Sequence, residues 1–380
     1  MRIAIDGSRL AVGQRTGTES YTAELLRALA RLDRRNDYTL YFNQRPAALP
    51  PLGPNWRARR LPAPRLWTHG RLGPALRLDR PDVAFIPAHV LPALPPRRSV
   101  VTIHDLGYEH IPEAHPFASR LYLRLSTRWS ARAATRLIAI SEATRRDLVR
   151  YAGADPAKIS VVYHGVDERF RPVDPALSAA AAARYGLHGP YLLFLSTIQP
   201  RKNLVGLIDA YAMAKADQPD LPPLALGGKP GWLTEAIERR AAERGVGEHV
   251  RFLGYVADAD VVPLLSGAAL YLLPSLYEGF GMTILEAMAA GAPVVTSAVS
   301  SLPEVAGDAA VLIDPRDTAA LAAAIGGLWR DPARRQELRE CGLEWAARWT
   351  WERCARQTLA VLEAAAAESP LKELTCASNH

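Results

Sequence analysis

Short runs of β-branched and aromatic residues recur along this chain, each followed by a stretch of helical period, and the pattern plays through twice. In the first half the runs are Arg2–Asp6, Tyr38–Asn43, Val83–Pro87, Val100–His104, Leu137–Ile140 and Ile159–Tyr163. Helical stretches such as Glu19–Leu32 and Pro116–Ala134 lie between them. In the second half the runs are Tyr191–Leu195, Leu224–Gly227, Val250–Leu253, Leu270–Leu273, Val294–Thr296 and Val311–Ile313. Helices are expected there at Leu204–Lys215, Leu233–Arg244, Gly281–Ala290 and Thr318–Trp329. Strands that are apolar throughout, joined by helical crossovers, make parallel sheets covered on both faces. The expected fold class is therefore α/β, with two Rossmann-like doubly wound domains facing across a cleft. Ligands in such folds bind beyond the carboxyl ends of the strands. Arg169–His188, with Pro172, Pro175 and an Ala-rich turn or two of helix, is the expected linker. The expected division is 1–172, 173–350, and 351–380 as a C-terminal helix returning to the first domain plus a tail. Two helical segments, Pro332–Arg348 and Trp351–Ala366, close the chain, and Leu371–His380 has no periodicity.

Charge divides the same way. The 380 residues carry a net charge of +7. Residues 1–172 hold 28 Lys and Arg against 15 Asp and Glu, a net of +13; residues 173–380 hold 18 against 24, a net of −6. A basic half admits nucleic acid, an anionic membrane surface or a phosphate-rich ligand as partner. The three cysteines, Cys341, Cys354 and Cys376, fit neither a disulfide framework nor a Cys-x-x-Cys metal pattern, and a reducing cytoplasm is the expected compartment. Met1–Ser8 lacks the pattern of a signal peptide. Met282–Leu302, the longest apolar candidate for a membrane span, is interrupted by Glu286, Gly291 and Pro293, so any membrane role is expected to be peripheral.

The most informative segment is Ser275–Gly291, SLYEGFGMTILEAMAAG. Glu278 sits in a Gly-rich loop directly after a strand, and Glu286 lies eight residues on, in the following helix. Gly279 and Gly281 allow close approach to the helix N-terminus, where amides favour a diphosphate or sugar oxygens. A loop carboxylate can accept hydrogen bonds from sugar hydroxyls. One two turns along can accept them from a ribose diol, by the logic of dinucleotide sites. Taken singly, each Glu reads as an acidic first turn or a surface residue; the strand–Glu-Gly-Phe-Gly–helix unit is what points to a ligand. In Ser196–Asn203, STIQPRKN, Arg201 and Lys202 stand at a strand-to-helix turn. A bidentate guanidinium beside a mobile ammonium suits a diphosphate, although a solvated basic turn reads the same in isolation.

Together with VRFLGYV at 250–256, LSGAALYLLPSLYEGFG at 265–281, GAPVVTSAVSSLPEV at 291–305 and AAVLIDP at 309–315, these segments resemble the retaining family 4 glycosyltransferases of the GT-B fold. The resemblance is strongest from Tyr191 to Pro315. It implies that Glu286 binds the donor ribose, that Glu278 lies at the donor sugar near the anomeric centre, and that backbone amides of Gly279, Phe280 and Gly281 meet the sugar hydroxyls. The Pro-Arg-Lys-Asn turn resembles a mannosyltransferase-like branch, which implies GDP-mannose as first donor, with UDP-, dTDP- and ADP-sugars open. The wider family often has Gly-Arg where this chain has Ser196-Thr197, which leaves Arg201 and Lys202 as the diphosphate cations. Gly228, in a Gly-Gly-Lys-Pro-Gly-Trp loop, resembles a loop of the nucleotide cleft. Tyr255 and Val256 are placed to meet the base by resemblance alone.

Two other patterns read as decoys. Asp258-Ala-Asp260 spells the DxD of metal-dependent glycosyltransferases, but it precedes the helical segment Val261–Ser266, where capping and dipole pairing explain it. Gly-Gly-Lys-Pro-Gly matches neither the dinucleotide fingerprint nor a Walker loop.

In the first half, Gly17 is the last glycine of the stretch Gly7–Glu19, which also holds Gly13. It resembles the family's first loop, which approaches donor phosphates and acceptor; an ordinary turn is the alternative. His104 ends a strand and so faces the ligand side of a sheet. It resembles the family histidine that contacts the donor sugar, while His89, His110 and His115 carry no matching pattern. Arg120, Arg124, Arg128, Arg132 and Arg136 form a basic stripe beside Leu121, Leu125 and Trp129. Such a helix is a solvated face whose stems cover the core, or a surface for anionic lipid.

These readings converge on a retaining, metal-independent hexosyltransferase with no cofactor, using a nucleotide-sugar donor and a saccharide or polyprenyl-diphosphate-linked acceptor. His104, Glu278, Arg201 and Lys202 are the expected catalytic set. The expected location is cytoplasmic, with peripheral contact to anionic membrane and no nucleic-acid partner. The other classes are a catalytically silent sugar-nucleotide scaffold and a nucleic-acid binder using the basic half, for which no binding motif speaks.

Overall fold

The apolar runs become strands in the computed structural model, which describes residues 1–12, 17–46, 49–63, 66–114, 116–228 and 234–368. The first unit comprises Met1–Leu106, Pro116–Gly165 and the stretch from Trp351. Its sheet is built from β1 (Arg2–Asp6), β2 (Asp37–Phe42), β3 (Trp56–Arg60), β4 (Val83–Ile86), β5 (Ser99–Ile103), β6 (Arg136–Ala139) and β7 (Ile159–Val161). The order is β3-β2-β1-β4-β5-β6-β7, and neighbouring strands pair in parallel. Every residue of β4 and β5 is buried, because helices cover both faces of the sheet and leave no side for polar alternation. Helix Gly17–Leu32 buries Leu25, Leu26 and Leu29 and packs on helix Trp351–Ala367, whose Cys354, Ala355, Leu362 and Ala365 enter the same core. β3, with sequence WRARR, is an additional strand outside the expected set. It lies at the sheet edge with four of its five residues exposed. Arginines on an edge strand resist pairing with other chains, and they also hide the strand from an apolar pattern search.

The second unit comprises Gly107–His115 and Val166–Thr350. Its strands are β8 (Leu192–Leu195), β9 (Leu224–Gly227), β10 (Val250–Gly254), β11 (Leu270–Leu273), β12 (Val294–Ser297) and β13 (Val311–Ile313). They are parallel in the order β10-β9-β8-β11-β12-β13. In each sheet the strand order reverses once, between β1 and β4 and between β8 and β11. Those reversals are the topological switch points where open α/β sheets bind ligands.

The units part after Gly165 rather than after residue 172, and Gly107–His115 groups with the second. The stretch expected as a linker, Arg169–His188, holds a ten-residue helix, Pro175–Arg184, that belongs to the second unit. Its Ser178, Ala181 and Ala182 are buried against helix Asp258–Gly267, because small side chains let the two helices approach closely. Residues 371–380, including Cys376, lie outside the described residues, as do Gly13 and His115. No helix among the described residues is long and apolar enough to cross a membrane.

Candidate active site

The second switch point gathers the acidic loop and the basic turn. β8 runs into the turn Pro200–Lys202, and β11 runs into the loop that carries Glu278. Lys202 Nζ donates to Glu278 Oε1 at 2.5 Å, and Ser275 Oγ donates to the same oxygen at 2.7 Å. Arg201 pairs with Glu278 Oε2 and donates to the Tyr277 carbonyl at 3.1 Å. The Leu276 amide in turn donates to the Arg201 carbonyl at 2.8 Å, so turn and loop are locked together. The Lys202 side chain is 5% exposed and that of Glu278 6%, while Arg201 retains 29%. Burial alone would raise the Glu278 carboxyl, but Arg201 and Lys202, with hydrogen bonds from Lys202 and Ser275, hold it at about 2. Burial draws Lys202 down to about 8 against the pull of Glu278, which leaves the ammonium charged at neutral pH. These three groups sum to one positive charge at a switch point. In a desolvated place that favours an anion.

Gly281 completes the loop. Its φ of +94° is open to glycine, and a Cβ there would stand 2.6 Å from Leu302 Cδ2. It caps helix Met282–Ala289, which carries Glu286. Burial raises the Glu286 carboxyl to about 7, with Arg169 lowering it and Asp167 raising it. The Phe280 side chain is buried and meets Trp349 edge-on at 5.8 Å, so what it can offer a ligand is its backbone. Ser301 Oγ donates to the carbonyls of Glu278 and Phe280, both at 2.9 Å, and Ser300 Oγ accepts from the Glu278 amide at 3.0 Å.

In the first unit, His104 follows β5 and is 6% exposed. Its Nε2 lies 2.7 Å from the Pro87 carbonyl, which makes that nitrogen the protonated one. Burial, with the His89 ring adding to it, pulls His104 down to about 3, so the ring is neutral. Its neighbours are Tyr21, edge-on at 4.8 Å, His89 at 5.4 Å and His164 at 5.9 Å.

Residues 15–170 match the family described as "Glycosyltransferase Family 4", and residues 185–345 match "Glycosyl transferases group 1". The O-antigen chain mannosyltransferase B of Escherichia coli is 36% identical over 264 residues, 69% of each chain. This chain belongs to the family 4 glycosyltransferases. Among solved structures, the sucrose-phosphate synthase of Thermosynechococcus elongatus superposes with a TM-score of 0.74 at 22% identity, over 96% of this chain and 98% of that one. Anabaena HepE, solved in complex with UDP and glucose, gives 0.74 at 19% identity over 96% and 100%. The expected GT-B class of two parallel-sheet α/β domains therefore stands.

The remaining expected residues of the glycosyltransferase fall into place unevenly. Gly228 has a φ of +150°, and a Cβ there would stand 1.8 Å from the Ser196 carbonyl oxygen. Close backbone approach thus fixes it as glycine; the rest of its loop, 229–233, lies outside the described residues. Tyr255 is 65% exposed, whereas Val256 is buried and packs beside Gly227. Gly17 opens helix Gly17–Leu32, and a Cβ added there would meet nothing within 4 Å, so packing does not require glycine at that position. The Asp258-Ala-Asp260 pattern forms the first turn of helix Asp258–Gly267, but the N-cap is Ala257, so dipole pairing acts there without side-chain capping. Asp260 is taken up by Arg184 and by the Tyr185 hydroxyl at 2.9 Å. Among the described residues no group of three His, Cys, Asp or Glu is arranged to hold a metal ion.

Sequence reasoning missed Ser275, Ser300 and Ser301. The repeated Ser in SAVSSLPEV was part of the family pattern, yet nothing in one sequence says that these hydroxyls brace a loop twenty residues upstream. The arginine helix, Phe117–Ala133, departs from ordinary amphipathicity. It buries Ser126, Thr127, Ser130 and Ala131, while Phe117 is 79% exposed, Leu121 45% and Leu125 58%.

Proposed function

We propose that this glycosyltransferase moves a hexose, with mannose from GDP-mannose as first choice, onto a saccharide or polyprenyl-diphosphate-linked acceptor in cell-surface polysaccharide synthesis. The observation that carries the reading is the buried Arg201–Glu278–Lys202 cluster at the switch point, beside the Gly281-capped helix. The donor diphosphate sits on Arg201 and Lys202 at the Gly279–Gly281 turn. Glu286 takes the ribose diol, and Glu278 borders the sugar. Two fixed cations stabilise charge developing on the leaving phosphate, a role a metal ion fills elsewhere. Transfer proceeds with retention: the acceptor oxygen bonds to the anomeric carbon on the face the phosphate leaves. The anomeric carbon–phosphate bond breaks, and the leaving phosphate oxygen takes the acceptor proton. No enzyme nucleophile is required.

Mannose is supported by the name of the 36% identical O-antigen chain mannosyltransferase. A nucleotide donor is supported by the UDP complex of HepE. Peripheral binding at the inner membrane face is supported by helix Phe117–Ala133, where exposed Phe117, Leu121 and Leu125 stand beside the arginine stripe. Apolar insertion with basic flanks suits an anionic bilayer.

The test is thermal shift and donor hydrolysis across GDP-mannose and UDP-, dTDP- and ADP-sugars, with Glu286→Ala as control. A shift with GDP-mannose that the variant loses is expected. No response to any donor, or an equal response in the variant, would sink the assignment.

A further inference from the structure

The loop Glu278-Gly-Phe-Gly281 sets two glycines around a buried phenylalanine. Glycine peptides turn over with little steric resistance, so a loop of this composition has no backbone direction of its own. Its direction is imposed by neighbouring segments. The peptide plane between Tyr277 and Glu278 is held at both ends: Arg201 donates to the Tyr277 carbonyl at 3.1 Å, and the Glu278 amide donates to Ser300 Oγ at 3.0 Å. Ser301 Oγ lies 2.9 Å from the carbonyl oxygens of both Glu278 and Phe280, so its single proton is shared between two acceptors. Ser301 is fully buried.

We infer that Ser301 is a positioning residue of the transferase, which aims the backbone amides of Gly279 and Gly281 at the hydroxyls of the donor sugar, with Ser300 in support. This rests on the donor reading proposed above and adds the group that sets the direction of the amides.

The geometry follows from the peptide bond. Peptide units are planar and trans, with C=O and N–H pointing opposite ways, and no cis bond occurs among the described residues. The Glu278 carbonyl shares its plane with the Gly279 N–H, and the Phe280 carbonyl shares its plane with the Gly281 N–H. A hydroxyl that draws both carbonyls to itself therefore turns both N–H groups to the side away from Ser301. The Gly281 N–H has no protein acceptor among the described residues. Arg201 and Lys202 take the diphosphate, so the amides serve the part of the donor beyond it. Fixed donors need no reorganisation when the ligand arrives, whereas a flipped glycine peptide would put an acceptor where a donor is needed.

The backbone of Ser300 supplies an independent observation. Its φ of +55° is a conformation glycine takes freely and a serine holds at a cost. What the serine adds there is the oxygen that accepts from the Glu278 amide. The next residue but one, Leu302, closes against Gly281, where a Cβ would stand 2.6 Å from its Cδ2. Three consecutive residues thus form one back wall to the loop, and each fixes a different part of it.

The test titrates the full chain calorimetrically with GDP-mannose and GDP, and with UDP-glucose and UDP. Within each pair the ratio of dissociation constants, sugar nucleotide over nucleotide, cancels any loss common to both ligands. Ser301→Ala should raise the ratio about tenfold, the partial loss of two uncharged hydrogen bonds. Ser300→Ala and Ser300→Gly should each raise it about threefold, because Arg201 still holds the other end of that plane. Ser300→Gly should melt above Ser300→Ala, so equal ratios at unequal melting temperatures separate aiming from stability. A ratio for Ser301→Ala within about twofold of wild type overturns the inference, as does a ratio that follows melting temperature across the two Ser300 variants. If Ser301→Ala yields no folded protein, the Ser300 variants decide the matter by the same limits. A wild-type chain that binds neither pair overturns the donor reading, and the role of Ser301 with it.

Discussion

Replacing Glu278 by Gln removes the negative charge that two cations share while keeping the shape of the side chain. Lys202 is 5% exposed and cannot turn to water; Arg201, at 29%, can do so in part. Removing one partner of a buried ion pair costs about 3–5 kcal/mol, and the partial escape of Arg201 places this case near the lower end. For a unit of this size about 3 kcal/mol lowers Tm by roughly 6–12 °C. The variant should also bind GDP and pyrophosphate more tightly than wild type, because the anion then meets two cations that no longer share the Glu278 charge. Differential scanning fluorimetry, with and without GDP or pyrophosphate, reads both effects. The acid limb gives an independent check. The Glu278 carboxyl is lowered from 4.5 to about 2 on folding, so its stabilisation is complete above 4.5 and is lost as pH falls towards 2. That loss should vanish from the variant. A Tm drop under about 2 °C, or a GDP shift no larger than that of wild type, would refute the clamp as drawn.

Glu286, raised by burial to about 7, accepts a charge-assisted hydrogen bond from each hydroxyl of a ribose diol only when ionised, so donor affinity should climb through neutral pH and flatten in Glu286→Gln; affinity independent of pH across that range in wild type would count against it. The same shift makes the ligand-free protein lose stability as pH rises from 4.5 through about 7, and Glu286→Gln should abolish that slope in urea titrations. Gly281→Ala should destabilise by about 1–3 kcal/mol, because a positive φ and a 2.6 Å approach to Leu302 act together, whereas Gly17→Ala should stay within about 0.5 kcal/mol. Chemical denaturation ranks the two, and the reverse order would contradict the packing. Arg124→Glu/Arg128→Glu should lose flotation with anionic liposomes, and equal flotation would remove helix Phe117–Ala133 as the membrane surface.

The two sheets were legible because strands buried on both faces favour apolar residues at every position, and β4 and β8 are apolar throughout. β3 was not, since its arginines face solvent along an edge. The site divides in the same manner. The chemistry of the Glu278 loop and the Arg201-Lys202 turn was readable locally. That the two cations close on one carboxylate was not, because Lys202 and Glu278 are 76 positions apart and only the β8–β11 adjacency joins them.

The return of helix Trp351–Ala367 to the first unit sets an order of events during synthesis. Val166–Thr350 is a continuous run and, with Gly107–His115 already made, can fold while the ribosome is still working. The first unit, begun earlier, waits for the last helix. Until Cys354, Ala355, Leu362 and Ala365 emerge, the side of helix Gly17–Leu32 that they cover stays open to water. The half made first is completed last, and a chain stopped at residue 350 would lose part of the core of its opening domain while the domain just finished stayed whole.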